Sequence, residues 1–339
     1  MTTHPEPTVA LLVLPESTPA SIYGLYEVFD AVGYQWEALT GEAAAGGRMN
    51  PRIMARDGIP PPNALGLPIT PQEGLGPADI VIIADLAFTA EFDPRGRWPV
   101  ETAWLRERYE AGAVICSVCT GTLALAEAGL LDGEMATTHW AASDLIAAHY
   151  PSVQLAPQRI LTASGDGDRI LTAGGTSAWA DLALYLVARF SSGTEAVRAA
   201  KIFLLGDHSE GQLPFAGSRR ARNHDDAIVA EAQAWIVDNY HLSNPVAVMT
   251  TRSGLAPRTF LRRFKTATGY TPTDYVQTLR IEEAKQLLET GSLSVEAIGF
   301  EVGYEDPNFF RRLFKRMTGI TPARYRQRFS KIAMAGTPA

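Results

Sequence analysis

Two groups of residues in this chain have the types and spacing to do chemistry. The first is Cys119-Thr120-Gly121, which follows the apolar run 113–118 (AVICSV) and opens a stretch rich in leucine and alanine, 120–128. A nucleophilic side chain at a strand-to-helix turn has the form of a nucleophile elbow, which lifts one side chain above the sheet edge. The helix start that follows would favour a thiolate and lower the pKa of the Cys119 thiol. Cys116 completes a C-x-x-C spacing, yet a redox pair is not expected. Cys116 falls inside the strand and Cys119 just after it, and an odd spacing in extended chain sends the side chains to opposite faces. Two cysteines and scattered histidines are also too few for a zinc site, so neither a metal nor another cofactor is expected.

The second group lies in the last third. Residues 264–277 (FKTATGYTPTDYVQ) match 314–327 (FKRMTGITPARYRQ) at eight of fourteen positions, fifty residues apart. Each copy reads as a helix, a short turn near Gly254 or Gly303, and a second helix, the helix-turn-helix pattern. In the second helix of copy one, Phe260 and Phe264 are four apart and suit a core. Arg258, Arg262 and Lys265 line another face. In copy two, Phe310 and Phe314 take the core role. Asn308, Arg312 and Lys315 line the equivalent face, with Arg311 beside them. Arginine and asparagine can grip guanine and adenine edges bidentately, whereas lysine suits phosphate. A solvated face of an amphipathic helix is the plainer explanation for one such helix. Duplication on a basic segment argues against it.

The elements that must position these groups fall into two classes. Early on, the apolar runs 8–14 (TVALLVL), 79–84 (DIVIIA) and 113–118 alternate with helical spacing at 22–32 and 120–128. Such alternation implies a parallel sheet covered on both faces. Residues 159–164 (RILTAS) and 169–174 (RILTAG) flank the turn Gly165-Asp166-Gly167-Asp168, a hairpin signal, and helix resumes over 176–190. The stretch 206–226 mixes Gly, Pro, Ser and charge without period and reads as a linker. Beyond it all is helical: Asp226, Asn244 and Asp306 can cap helices, the last two before a proline. The expected organisation is an α/β flavodoxin-like parallel-sheet domain over 1–205, a linker over 206–226, an all-α tandem helix-turn-helix domain over 227–330 and a tail over 331–339. A connecting helix over 273–289 would be about 25 Å long and could hold two reading helices about one DNA turn (~34 Å) apart.

Composition sets bounds. The chain has 339 residues and 46% are hydrophobic, enough to bury a sizeable core in two domains. No run reaches the roughly 18 apolar residues of a membrane span. The N-terminus lacks the charged region of a signal peptide, and two cysteines make no disulfide framework, which fits a reducing cytoplasm. The net charge of −7 is uneven: residues 1–226 hold 15 Lys+Arg against 27 Asp+Glu, and 227–339 hold 15 against 10. A basic small part on an acidic large part hints at nucleic-acid binding.

Residues 227–330 resemble the AraC/XylS regulators, through Gly303-Tyr304-Glu305-Asp306, Phe310, Phe314-Lys315, Gly319, Thr321-Pro322 and Tyr325-Arg326. The resemblance implies base contacts near Arg258, Leu261 and Arg262, and near Pro307, Asn308 and Arg312. Leu261 departs from the polar residue frequent at its position. Residues 8–205 resemble the ThiJ/PfpI branch of the class I glutamine-amidotransferase-like superfamily, on Cys119-Thr120-Gly121, His139, Glu27 and the stretch 126–133 (AEAGLLDG). Together the two halves look like GlxA-type regulators. That likeness implies a ligand pocket of Cys119, Glu27, His139 and Thr120 that senses a small molecule, such as an amino acid or related nitrogen compound, without turnover. It also implies an activator that binds promoter DNA and works with RNA polymerase; a homodimer joined through the first domain is expected because one chain reads only about two groove segments. The alternative is a cysteine-dependent hydrolase- or hydratase-like enzyme with an accessory DNA-binding domain. It would use Cys119 as nucleophile, His139 as base and Glu27 as acid. Ser21 stands where the hydratase-like members place an aspartate, and residual activity at Cys119 is left open. His139 is read equally well as a hydrogen-bonded structural histidine.

Overall fold

In the computed structural model, residues 6–61, 65–87, 92–206, 208, 210–217 and 224–334 are described, the side chains as far as residue 330. Residues 207, 209 and 218–223 of the expected linker, and 335–339 of the expected tail, lie outside them. The chain divides into two compact units, Met1–Gln212 and Leu213–Ala339.

The first unit runs β1 (Thr8–Leu12), α1 (Pro19–Ala31), α2 (Gln35–Thr40), β2 (Asn50–Met54), β3 (Ile80–Ile83), α3 (Pro99–Glu110), β4 (Val114–Val118), α4 (Thr122–Glu127), β5 (Met135–Ala136), α5 (Ser143–His149), β6 (Gln154–Leu155), β7 (Leu161–Ser164), β8 (Ile170–Ala173), α6 (Trp179–Phe190) and α7 (Gly193–Phe203). Six strands form one sheet in the order β2-β1-β3-β4-β8-β7, and β5 pairs with β6 apart from it. All neighbours in the large sheet are parallel except β7, which turns back on β8 through Gly165 (φ 71°) and Gly167 (φ 63°). The order of the parallel strands is that of the flavodoxin-like doubly wound fold. Leu11, Ile53, Ile82, Cys116 and Leu171 form one row across five strands, buried with α1, α6 and α7. Leu12, Ile83 and Ile115 point the other way, toward α3, α4 and α5. Both faces are therefore covered, which is why these strands read as unbroken apolar runs.

The spacing argument for the two cysteines fails here, although both remain free thiols. Cys116 and Cys119 border the same core layer. Alternation ends at Val118, because Cys119 takes φ 56° and leaves the strand. The expected linker also begins too early. Gln212 is 2% exposed, and its amide donates to Thr138 O (2.7 Å) and accepts from Trp140 N (3.1 Å), so the first unit continues past residue 205.

The second unit comprises α8 (Ala227–Asn239), α9 (Pro245–Arg252), α10 (Pro257–Thr268), α11 (Pro272–Thr290), α12 (Val295–Glu301), α13 (Pro307–Thr318) and α14 (Pro322–Met334). Asp226, Asn244 and Asp306 cap α8, α9 and α13 through their side chains, and proline opens α9 and α13. The pairs α9–α10 and α12–α13 are the two helix-turn-helix motifs, turning at Gly254 (φ 65°) and Gly303 (φ 87°). Helix α11 has 19 residues, about 28 Å at 1.5 Å per residue. It gives Val276 to a core with α8, α9 and α10, and Ile281, Ala284 and Leu288 to a second core with α12, α13 and α14. Among the described residues no helix is long and apolar enough to cross a membrane.

Candidate effector site and nucleic-acid interface

Chain connectivity brings the carboxyl ends of β1, β3, β4 and β8 to one edge. There β4 breaks into the 3-10 turn Cys119–Gly121 and then α4. Cys119 has φ 56°, a conformation that costs a residue with a Cβ about 1–2 kcal/mol. The turn is pressed against the end of β3. A Cβ on Gly121 would lie 2.4 Å from Ile83 O and 2.5 Å from Ala84 O, so only glycine fits. Thr120 pins the same contact: its hydroxyl accepts from Leu86 N (2.6 Å) and donates to Leu86 O (2.8 Å). Thr120 therefore braces the elbow instead of offering its hydroxyl to a ligand.

Cys119 is 4% exposed, and the Thr176 hydroxyl reaches its sulfur at 3.5 Å. Burial pushes the Cys119 thiol up, and the hydrogen bond from Thr176 only partly opposes it. The expectation of a helix-lowered thiol is thus reversed, because desolvation of a thiolate outweighs the polar groups around it. His139 sits at the rim, its Cδ2 4.0 Å from where a Cβ on Gly175, the neighbour of Thr176, would stand. Its Nδ1 accepts from Ala141 N at 3.2 Å and caps the short turn Trp140–Ala142, which leaves Nε2 to carry the proton of the neutral ring. Burial pushes the His139 imidazole down and Asp85 opposes that.

Glu27 does not join this group. Helix α1 turns Ser21, Ile22, Leu25, Val28 and Phe29 inward, and Glu27 falls on the exposed side. The acid at the site is one that sequence reasoning passed over. Asp85, just past β3, is 7% exposed, and its carboxylate accepts the hydroxyls of Thr18 and Ser21 at the start of α1. An acidic residue ending an apolar run such as 79–84 was the available signal, because the carboxyl ends of parallel strands are where doubly wound folds place polar chemistry.

In the second unit, Phe260, Phe264, Phe310 and Phe314 are fully buried, as their spacing predicts. Ring pairs tie them together: Phe260–Phe264 at 5.7 Å and Phe310–Phe314 at 5.9 Å between centroids. Arg258, Leu261, Arg262 and Lys265 stand exposed on α10, and Asn308, Arg312 and Lys315 on α13. Arg311 is exposed too, yet its guanidinium pairs with Glu296 of α12 and donates to Asn308 Oδ1 at 3.0 Å, so it closes the second motif on itself. Arg280, missed from sequence, is 7% exposed and lies between the motifs. Its Nε donates to Tyr240 O (2.7 Å) and its Nη2 to Leu242 O (2.6 Å), while the guanidinium stacks 4.8 Å from the Tyr304 ring centroid.

Residues 249–328 match the family model for a helix-turn-helix domain, and residues 98–189 match that of the DJ-1/PfpI family. The HTH-type transcriptional regulator CdhR of Pseudomonas aeruginosa is 30% identical over 298 residues, 84% of each chain. The chain belongs to the AraC-type transcription regulators that carry a DJ-1/PfpI domain. The regulator GlxA of Rhizobium meliloti is 27% identical over 227 residues, 66% of this chain and 68% of its own. GbdR of Pseudomonas aeruginosa is 25% identical over 274 residues, 77% of this chain and 70% of its own. As a member of these AraC-type regulators the protein binds double-stranded DNA, and α10 and α13 are the second helices of its two motifs.

Proposed function

We propose that the first unit is a sensor. A small molecule, an amino acid or a related nitrogen compound, binds at the Cys119 elbow and changes how the second unit acts at promoters. In this reading the protein is an activator in the cytoplasm, works with RNA polymerase, and is a homodimer joined through its first unit. A single chain presents two reading helices and so covers about two groove segments, which favours pairing of chains on an operator. Arg258, Leu261, Arg262, Asn308 and Arg312 face the bases, and Lys265 and Lys315 the phosphates.

The observation that carries the sensor reading is the strained Cys119 turn, held by Gly121 and Thr120 at the carboxyl ends of parallel strands, where doubly wound sheets bind their ligands. A test blocks the rim while sparing the core. Thr176 is exposed and touches the Cys119 sulfur, so Thr176→Trp fills the approach to the elbow. A panel of amino acids and betaines is screened for compounds that raise the Tm of the full chain. Thr176→Trp should fold, bind a promoter fragment recovered by genome-wide mapping, and lose the stabilisation. A variant stabilised as strongly as the wild type would mean that the effector binds elsewhere.

A further inference from the structure

Two carboxylates are buried where β1 and β3 end, and they are treated differently. Glu16, 6% exposed, has a cation: Arg97 Nε lies 2.6 Å away, and the Trp98 indole donates at 3.0 Å. Asp85, 7% exposed, is met among the described residues by hydroxyls alone, those of Thr18 and Ser21. Among the described residues no lysine, arginine or histidine forms an ion pair with it, whereas Glu16, Glu101 and Glu195 are each paired with arginine. The neighbouring segment 88–91 (FTAE), outside the described residues, contains no basic residue by sequence. A carboxylate has about four lone-pair sites, and the Thr18 and Ser21 hydroxyls use one on each oxygen. The group is thus oriented and still able to accept.

Its position matters as much as its charge. From β1 the chain moves to β2 on one side, while β3 lies on the other, so the gap between β1 and β3 is the topological switch point. Asp85, Thr18 and Ser21 sit at that gap. The negative charge of Asp85 also raises both the Cys119 thiol and the His139 imidazole, so its field reaches the elbow. An unpaired charge in a desolvated place is costly unless a partner arrives.

We infer that Asp85 is the anchor for a cationic nitrogen group of the effector, an ammonium or guanidinium, with Thr18 and Ser21 holding the carboxylate toward it. This rests on the sensor reading and names the chemistry of that same site.

The test uses matched probes on the full chain: choline against 3,3-dimethylbutan-1-ol, and butylammonium and butylguanidinium against butanol. Trp36, Trp98, Trp104, Trp140 and Trp179 all belong to the first unit, so tryptophan fluorescence mainly follows its unfolding. At least one cation should raise the wild-type Tm where its neutral counterpart does not. Asp85→Asn should abolish that shift and raise the Tm of the ligand-free protein, because the amide keeps the hydroxyl contacts without the unpaired charge. If no cation shifts the wild type selectively, or if Asp85→Asn lowers the Tm and leaves the shift intact, the inference is overturned. Thr176→Trp separates the two claims. Stabilisation by a neutral compound that Thr176→Trp removes and Asp85→Asn does not would sink the cation anchor and keep the sensor.

Discussion

Arg280→Met is the sharpest perturbation of the DNA-reading unit. Methionine keeps most of the apolar volume, but it abandons the carbonyls of Tyr240 and Leu242 just after α8. Each is a charge-assisted hydrogen bond worth about 1.5–3 kcal/mol, and together they amount to roughly 3–6 kcal/mol. The stack on Tyr304 adds about 0.5–2 kcal/mol. The geometry around the guanidinium leaves little room to compensate. A Cβ on Gly303 would already lie 2.9 Å from Arg280 Nη2 and 2.3 Å from His241 O. At about 1.4 kcal/mol per factor of ten, loss of the two hydrogen bonds alone should accelerate amide exchange in the 240–242 turn, mid-α11 and the Gly303 turn by roughly two to four orders of magnitude. Peptide-level hydrogen exchange on the full chain measures this, with the β1–β4 peptides as an internal control. Arg280→Lys keeps the charge without the fork and should fall between the two. Unchanged protection in those segments for Arg280→Met would show that the arginine does not join the two motifs, and the reasoning would fail.

Two further outcomes follow from the exposed and the buried side chains. Arg312→Ala should cost about 1–3 kcal/mol of operator affinity and relax specificity at one base position, while Lys315→Ala should weaken all sequences alike and shrink the log–log salt slope by about 0.9. Binding to a randomised site library checks this, and a uniform loss for both variants would refute the division of roles. Alkylation of Cys119 by iodoacetamide at neutral pH should be slower in the native protein than in urea, because burial raises the folded thiol and leaves less thiolate. By linkage, the stability tied to the protonated thiols of Cys116 and Cys119 is present below the ordinary thiol range and lost as pH rises through their folded values. Native Cys119 reacting faster than unfolded would reverse the sign.

Legibility varied with how much each feature owed to local pattern. The helix-turn-helix pairs were readable because the sequence states them twice: capping residues, proline starts, and aromatic pairs four apart. Strand β2 went unread. Its NPRIM has a proline, tolerable because β2 ends the six-stranded sheet: β1 is its strand neighbour, and the bridge on its other side falls at Met54, away from Pro51. Glu27 was a natural choice by residue type, but whether it faces the site depends on the rotation of α1 against α6 and the sheet, a tertiary matter that no single-helix pattern reveals. Asp85 escaped for the complementary reason. It follows an apolar run as an ordinary loop residue, and only strand order places it across from Thr18 and Ser21. Gln212 lies in a stretch without periodicity, because it is held by backbone groups of other segments, Thr138, Trp140 and Arg159, which impose no spacing on the residues around it.

The elbow itself separates shape from reactivity. A nucleophile needs a thiolate near neutral pH and a base free to take or return a proton. Here the backbone retains the strained turn, with Gly121 and Thr120 fitted to it, yet burial holds Cys119 protonated and the His139 Nδ1 is committed to the Trp140–Ala142 turn. The nearest acid is tethered by two hydroxyls on the far side of the gap between β1 and β3, and its charge pushes the thiol further from ionisation. What such a site keeps is an oriented set of polar groups at a sheet edge. In the sensor reading proposed above, that set serves recognition, whose free energy comes from pairing the groups with a ligand, better than a reaction that would have to ionise the cysteine first.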